Sequence, residues 1–113
     1  NRLVLWGNGK AKREVLYVDD LADACIYFMK KKTKHKLINI GSGKEYTIKT
    51  LAKLISNIVG FEGKIEFDKS KPNGVPRKVM DVSLAKKYGW KYKINLKTSI
   101  KITYQSFLKE LNE

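Results

Sequence analysis

Two loops carry the residue types that best suit a flat, negatively charged ligand. The first is WGNGKAKRE, from Trp6 to Glu14, which holds two glycines and three cations and shows no hydrophobic period. Trp6 offers a flat face for a base or a sugar, and Arg13 can hold a diphosphate through paired hydrogen bonds. The string is equally typical of a turn that joins two strands, so both interpretations stay open at this point.

The second loop is DKSKPNGVPR, residues 68–77, which contains both prolines of the chain and an Asn-Gly pair. These residues favour turns, and the prolines limit the flexibility of a segment that presents Arg77 and Lys78. Two of the three arginines of the chain therefore lie in the loops that core packing explains least. The residues alone leave ligand binding and plain solvated loops as alternatives.

A third segment, GSGK at residues 41–44, resembles a phosphate-binding turn because it follows a predicted strand and precedes a predicted helix. A P-loop would need glycine where Ile38 stands and serine or threonine where Glu45 stands. A dinucleotide-binding turn would need a third glycine in place of Tyr46. The pattern therefore favours a structural turn.

Three acids, Asp19, Asp20 and Asp23, could suggest a metal site or an acid/base pair. Adjacent acids at the start of a helix are more often caps and partners of the helix dipole. We therefore predict no metal site, and we expect Asp19 or Asp20 to cap the N-terminus of a helix.

The remaining candidates for catalysis are few, since the chain has one cysteine and one histidine. Cys25 lies on a predicted apolar helix stripe, which is typical of a small core residue, and His35 lies in a run of lysines. Tyr27 and Lys31 have the Tyr-x-x-x-Lys spacing that can lower the pKa of a phenol. This pair lies at the lysine-rich end of a helix, so we predict no catalytic residue in the chain.

Length and charge narrow the class of protein. A chain of 113 residues forms one domain at most. Its net charge of +13 permits a small nucleic-acid-binding module, but the cations are mostly scattered lysines, and a solvated surface is favoured. No apolar run is long enough to span a bilayer, so we expect a soluble, cytoplasmic protein without a membrane partner.

The hydrophobic pattern predicts an α/β chain with at least four helices and short strands. The strand at 3–6 begins almost at residue 1, which suggests a fragment whose partners lie upstream. The predicted elements are strands at 3–6, 37–40 and 64–67, a helix from near Asp19 into the lysine run, a helix from its cap Thr47 to Gly60, a short helix from Asp81 to Lys87, and a last helix capped by Asn95.

Together these segments resemble the carboxy-terminal part of extended short-chain dehydrogenase/reductases that act on nucleotide sugars. REVLYVDDLADA, INIGSGKEYTIKTLAKLI and VMDVSLAKKYGW look like segments common to that superfamily. WGNGKAKRE and DKSKPNGVPRK are similar to the GDP-L-fucose synthase family, NADPH-dependent epimerase/reductases that convert GDP-4-keto-6-deoxymannose to GDP-L-fucose.

The resemblance implies that residues 1–113 are one substrate-binding domain fragment, mostly helical with short strands and incomplete without an upstream Rossmann domain. That domain would hold NADP and every catalytic residue, so this chain would contain no catalytic, cofactor-binding or metal-binding residue and would be inactive alone. The resemblance also implies a homodimer of the full-length enzyme.

The resemblance further implies four contacts with the substrate. Trp6 and Arg13 match the tryptophan and arginine that contact the GDP-sugar, and Lys78 matches a lysine suited to its phosphates. The family's second loop usually reads Lys-Pro-Asp-Gly and its acid is a substrate contact, but this chain has Asn73. An amide keeps an acceptor, adds donors and loses the charge. A related GDP-deoxysugar is therefore an open alternative substrate.

Overall fold

Two small sheets and four helices make up the computed structural model, which describes residues 1–113. This arrangement confirms the predicted α/β class with mostly helices and short strands. In chain order the elements are β1 (Arg2–Trp6), β2 (Lys12–Arg13), α1 (Val18–Lys30), β3 (Tyr46–Thr47), α2 (Ile48–Val59), β4 (Lys64–Asp68), β5 (Arg77–Lys78), α3 (Ser83–Lys87) and α4 (Leu96–Leu111).

The first sheet is a parallel pair, in which Arg2 of β1 lies opposite Lys64 of β4. Since parallel strands end at the same edge, Trp6 lies opposite Asp68, and the Gly7 amide donates to the Asp68 carbonyl at 2.9 Å. The two loops noted in the sequence therefore begin side by side.

The second sheet joins the far ends of the same loops. Its strand order is β3-β2-β5, with β2 parallel to β5 and antiparallel to β3. Lys12 pairs with Arg77, and Arg13 pairs with Lys78. The loops are thus held together at both ends by main-chain hydrogen bonds.

The predicted caps of α2 and α4 are confirmed. The Thr47 hydroxyl accepts from the Thr50 amide at 3.1 Å, and Gly60 ends α2 in the left-handed conformation. The Asn95 side chain caps α4 by accepting from the amide three residues on. The prediction for α3 is wrong, because the helix begins at Ser83 and its N-cap is Val82. Asp81 lies one residue too early to be the cap, and its carboxylate accepts from the Ser83 amide at 2.9 Å.

The start of α1 differs from the prediction. The residue before the helix is Tyr17, which makes no side-chain cap, so neither Asp19 nor Asp20 is the N-cap. Asp20 is buried and accepts a hydrogen bond from the Ile94 amide at 3.0 Å. Its carboxylate is used to anchor the segment before α4, a long-range contact that the local pattern does not reveal.

The predicted core position of Cys25 is also wrong. Ala24 is buried, but Cys25 beside it is exposed, because the segment after α1 leaves a cavity of about 330 Å³ next to it. Ala24, Ala85 and Trp90 form a buried cluster in the core, with partly buried side chains packed around them.

Residues 37–40 form no strand, contrary to the prediction. Ile38 and Ile40 are partly buried against the core, whereas Leu37 is exposed. A strand needs a neighbour for its amides and carbonyls, and no other segment of this chain pairs with residues 37–40.

Much apolar surface lies open to solvent on this chain, including Leu3, Val18, Ile55 and Phe107. None of its helices combines the length and the apolar character that a bilayer crossing requires.

Candidate functional site

The two loops contact each other directly through Asn73. The Asn8 amide donates to Asn73 Oδ1 at 2.7 Å. Gly7 has a φ of 88°, and any side chain there would collide with the same amide oxygen. The glycine is therefore required both for the turn and for the close approach of the second loop.

This contact fixes the orientation of the Asn73 side chain. Because a main-chain amide must face an acceptor, the oxygen of Asn73 points toward Asn8 and its NH₂ group points away. An aspartate here could make the same contact but would present a second acceptor instead of two donors. Asn73 therefore differs from the family's aspartate in two ways: it lacks the negative charge, and it offers hydrogen-bond donors where the aspartate offers an acceptor.

Arg13 crosses from the first loop to the second. Its Nη1 donates to the Val75 carbonyl at 2.6 Å and to its neighbour's carbonyl, that of Lys12, at 2.7 Å. A guanidinium has five N–H donors, so the hydrogens of Nε and Nη2 remain for a ligand. Nη2 lies beside Gly74, and a Cβ at that position would lie only 3.1 Å from it. Arg13 is therefore held in place by groups that leave its donor edge free.

Strand pairing separates the four cations of β2 and β5 into two sets. Side chains alternate along a strand, and direct partners leave the same face. Arg13 and Lys78 therefore share one face of the sheet, and Lys12 and Arg77 share the other.

On the second face, Arg77 is paired with an acid, whereas Lys12 takes part in no ion pair. Arg77 forms an ion pair with Glu45, and this hydrogen bond raises the pKa of Arg77 and lowers the pKa of Glu45. Lys78 takes part in no ion pair. The structure thus leaves Lys78, rather than Arg77, available to an anion.

Trp6 has an exposed ring, as its sequence context suggested. Two-thirds of the residue, 66%, is accessible to solvent, and Lys71 Nζ lies 5.4 Å from the ring centroid. This distance is typical of a cation–π contact. Lys71 belongs to the second loop, so the contact adds a positive charge next to the aromatic face.

A cavity of about 250 Å³ lies between the loops and is lined by Asn8, Lys10, Ala11, Asn73 and Pro76. Sequence reasoning did not single out Asn8, Lys10 or Lys71. The only signal for them was their place in the two quoted loops, since no motif or period distinguishes them.

In the GSGK turn, a main-chain amide that a bound phosphate would need is already occupied by the carboxylate of Glu14. The Gly43 amide donates to Glu14 Oε2, and the same carboxylate packs against Gly41. A phosphate approaching this turn would meet a negative charge. The turn therefore does not fit a dinucleotide phosphate, and nothing else in the chain offers the glycine-rich helix start of an NADP site.

The other titratable groups noted in the sequence are engaged in packing. The Tyr27 hydroxyl donates to the Tyr88 carbonyl at 2.6 Å, and the ring of Tyr27 lies under Lys31. His35 Nδ1 lies 2.7 Å from the Tyr88 hydroxyl.

The Asp23 carboxylate accepts from Trp90 Nε1 at 3.0 Å and pairs with Lys93 at 3.3 Å. The hydrogen bond from Trp90 is the largest cause of a lowered pKa of Asp23, and the hydrogen bond from Lys93 is the second. No three His, Cys, Asp or Glu side chains lie together in a way that could hold a metal ion.

Comparison with known proteins first identifies the general class of enzyme that the chain resembles. Residues 1–41 match the NAD dependent epimerase/dehydratase family. The fold is similar to that of the GDP-mannoheptose C4 reductase from Campylobacter jejuni, solved with NADP bound, at a TM-score of 0.83 and 41% identity over 95% of this chain and 35% of that one. The chain therefore has the α/β fold of a carboxy-terminal portion of an extended short-chain dehydrogenase/reductase.

Curated relatives narrow the similarity to GDP-sugar enzymes. The chain is 46% identical to GDP-L-fucose synthase 1 of Arabidopsis thaliana over 96% of its length, and 43% identical to GDP-L-colitose synthase of Yersinia pseudotuberculosis over the same share. It spans 34% of the first enzyme and 35% of the second. The resemblance to GDP-L-fucose synthases is confirmed over nearly the whole chain, and nothing in the comparisons favours a nucleic-acid-binding module.

Proposed function

We propose that residues 1–113 are the GDP-sugar-binding domain fragment of an NADPH-dependent epimerase/reductase that makes GDP-L-fucose from GDP-4-keto-6-deoxy-D-mannose. The observation that carries the proposal is the union of the two loops by the Asn8–Asn73 and Arg13–Val75 hydrogen bonds. It supports the proposal because Trp6, Arg13 and Asn73 lie on the two joined loops and Lys78 lies on β5, at the end of the second loop.

Each contact has a distinct role in this proposal. The exposed ring of Trp6 stacks against a flat part of the ligand, and Lys71, which lies over the same ring, adds a positive charge there. Arg13 and Lys78 hold the diphosphate, the first by directed hydrogen bonds and the second as a point charge. Asn73 donates to the sugar or to a phosphate oxygen through its NH₂ group.

The loops act by binding and orienting the GDP-sugar, and the chemistry takes place on groups outside this chain. The NADP-binding and catalytic residues belong, in this proposal, to a Rossmann domain of the same enzyme. NADPH supplies the hydride for the reduction. The residues of this chain hold the nucleotide end of the substrate, so that the keto-sugar is presented at a constant position.

Apolar surface supports a close contact with that domain. Two cavities of about 490 and 550 Å³ share Ile55 and Val59 and are lined almost entirely by apolar side chains from β1, α2, α4 and the segment before α1. Such a surface suits protein packing better than a charged nucleotide. The unpaired segment 37–40 could add to a neighbouring sheet in the same assembly. The homodimer and the cytoplasmic location remain predictions.

Turnover by the complete enzyme tests the proposal. NADPH oxidation with GDP-4-keto-6-deoxy-D-mannose, followed by identification of GDP-L-fucose, is the expected result. No turnover at any enzyme concentration would contradict the assignment. Binding of duplex DNA or RNA in preference to GDP, with a steep salt dependence, would instead favour the nucleic-acid alternative.

A second candidate is the reduction or epimerisation of a related GDP-deoxysugar. Asn73 favours it, because its free donors would contact a sugar differently from the usual acid. The identity to GDP-L-colitose synthase, 43%, and to the GDP-mannoheptose reductase, 41%, is close to the 46% identity to GDP-L-fucose synthase 1. A panel of GDP-4-keto sugars separates the two candidates by their relative kcat/KM values.

A further inference from the structure

Glu14 joins three segments that are distant in sequence. It follows Arg13 directly, and its Oε2 accepts from the Gly43 amide at 2.5 Å. Its Oε1 accepts from the Met80 amide at 3.0 Å, on the segment after β5. No lysine or arginine pairs with it, so the carboxylate is satisfied by main-chain donors. It thus ties the end of β2 to both the GSGK turn and β5.

Gly41 shows how closely the carboxylate is enclosed. A Cβ built at Gly41 would lie 2.5 Å from Glu14 Oε2, far inside normal contact. Gly41 is buried, and its φ lies outside the left-handed region that favours glycine. The absence of a side chain is therefore needed for the approach of Glu14 and not for the backbone conformation.

The location of Glu14 links this clamp to the binding residues. Neighbouring side chains of an extended chain leave opposite faces, so Glu14 holds the sheet from the face opposite Arg13. By bonding the Met80 amide it fixes β5 against β2 just beyond the Arg13–Lys78 pair. Any slip of β5 would move Lys78 away from Arg13.

We propose that Glu14 is a positioning residue that holds Arg13 and Lys78 in the arrangement that binds the diphosphate. This inference rests on the proposed function. For the strength of anion binding after removal of the Glu14 charge, it predicts the opposite of what charge attraction alone predicts. Removing a negative charge next to two cations should strengthen anion binding by Coulomb attraction. Loss of the clamp should weaken it.

The decisive variant is Glu14→Gln in the complete enzyme, since an amide offers only one oxygen to the two main-chain donors. We expect KM for the GDP-sugar to rise about tenfold, the equivalent of one charged hydrogen bond, with kcat within about twofold of the wild type. Glu66→Gln is the matched control, because it removes the same charge from an exposed pair with Arg2. Gly41→Ala should reproduce the Glu14→Gln result by displacing the carboxylate.

A double-mutant cycle distinguishes positioning from general stability. In an Arg13→Ala background, Glu14→Gln should raise KM by less than about twofold, because the Arg13–Lys78 pair that it holds together is already broken. Hydrogen exchange at the Gly43 and Met80 amides should accelerate in Glu14→Gln with or without substrate.

Three results would overturn the inference: an unchanged or lower KM in Glu14→Gln, an equal rise in the Arg13→Ala background, or unchanged exchange at both amides. A wild-type enzyme that does not bind the GDP-sugar would instead refute the proposed function. The exchange measurement would still decide whether Glu14 forms the clamp.

Discussion

Arg13 and Lys78 are direct partners in the parallel pairing of β2 and β5, so their side chains leave the same face of the sheet. Their neighbours Lys12 and Arg77 leave the other face, where Glu45 pairs with Arg77. The sequence places two cations side by side in the string PRK, and only the sheet shows which of them faces the same way as Arg13.

The two cations of that string should therefore respond differently to substitution. Lys78→Ala should raise KM for the GDP-sugar about tenfold, as expected for loss of a charged contact. Arg77→Ala should leave KM within about twofold of the wild type and lower the melting temperature instead. Steady-state kinetics and thermal unfolding of both variants provide the comparison. A larger KM effect for Arg77→Ala would reverse the assignment of the two faces.

The Glu45–Arg77 pair predicts a pH dependence of stability. The hydrogen bond from Arg77 lowers the pKa of Glu45 below its usual 4.5 in the folded state. Its contribution is therefore fully present above about pH 4.5 and is lost as the pH falls through the lower, folded pKa. The melting temperature of Glu45→Gln should lie below that of the wild type at pH 7, and the gap should close under acid conditions.

Glu110→Gln is the control for this titration, since Glu110 lies on α4 and takes part in no ion pair. A gap for Glu45→Gln that stays constant from pH 7 to pH 3 would show that the pair does not stabilise the fold.

Gly7 and Gly60 offer a matched test of loop contact. Both have a positive φ, but a side chain at Gly60 would meet open space, whereas one at Gly7 would collide with Asn73. Gly60→Ala should lower the free energy of unfolding by about 1 kcal/mol through backbone strain alone. Gly7→Ala should cost more and should also raise KM, because it separates the loops. Equal effects of the two variants on KM would contradict the joined-loop site.

Asn73 should determine preference among GDP-sugars. Asn73→Asp keeps the acceptor for the Asn8 amide, so we expect a melting temperature close to that of the wild type. It exchanges two donors for an acceptor and a charge, so the ratio of kcat/KM values between GDP-4-keto sugars should change by about tenfold. Asn73→Ala, which removes the loop contact, should raise KM for every sugar. An unaltered ratio in Asn73→Asp would place the sugar away from this side chain.

Local rules predicted the caps of α2 and α4 and failed where distant residues decide the structure. Thr47, Asn95 and Gly60 act within one turn of their own helix, so the nearby sequence is sufficient to identify them. Asp20 has the right residue type for a cap, but its carboxylate bonds Ile94, which no local pattern reveals. The apolar run at 37–40 has strand character but no partner in this chain.

The two loops of the candidate site could be identified from the sequence, but the contacts between them could not. The loops were identified from composition and from the family resemblance, which led to Trp6 and Arg13. Asn8 bonds Asn73, and Glu14 bonds Met80. Each of these contacts joins residues more than sixty positions apart in the sequence. Such contacts depend on the register of β1 with β4 and of β2 with β5, and register is not encoded in either loop alone.

The central claim, that the joined loops bind the diphosphate of a GDP-sugar, is tested most directly by KM of the complete enzyme after Arg13→Ala. We predict a rise of about ten- to hundredfold for GDP-4-keto-6-deoxy-D-mannose, from loss of charged hydrogen bonds. Arg2→Ala, which removes an equal charge from an exposed pair with Glu66, should leave KM unchanged. An Arg13→Ala enzyme with the wild-type KM and rate would contradict the claim.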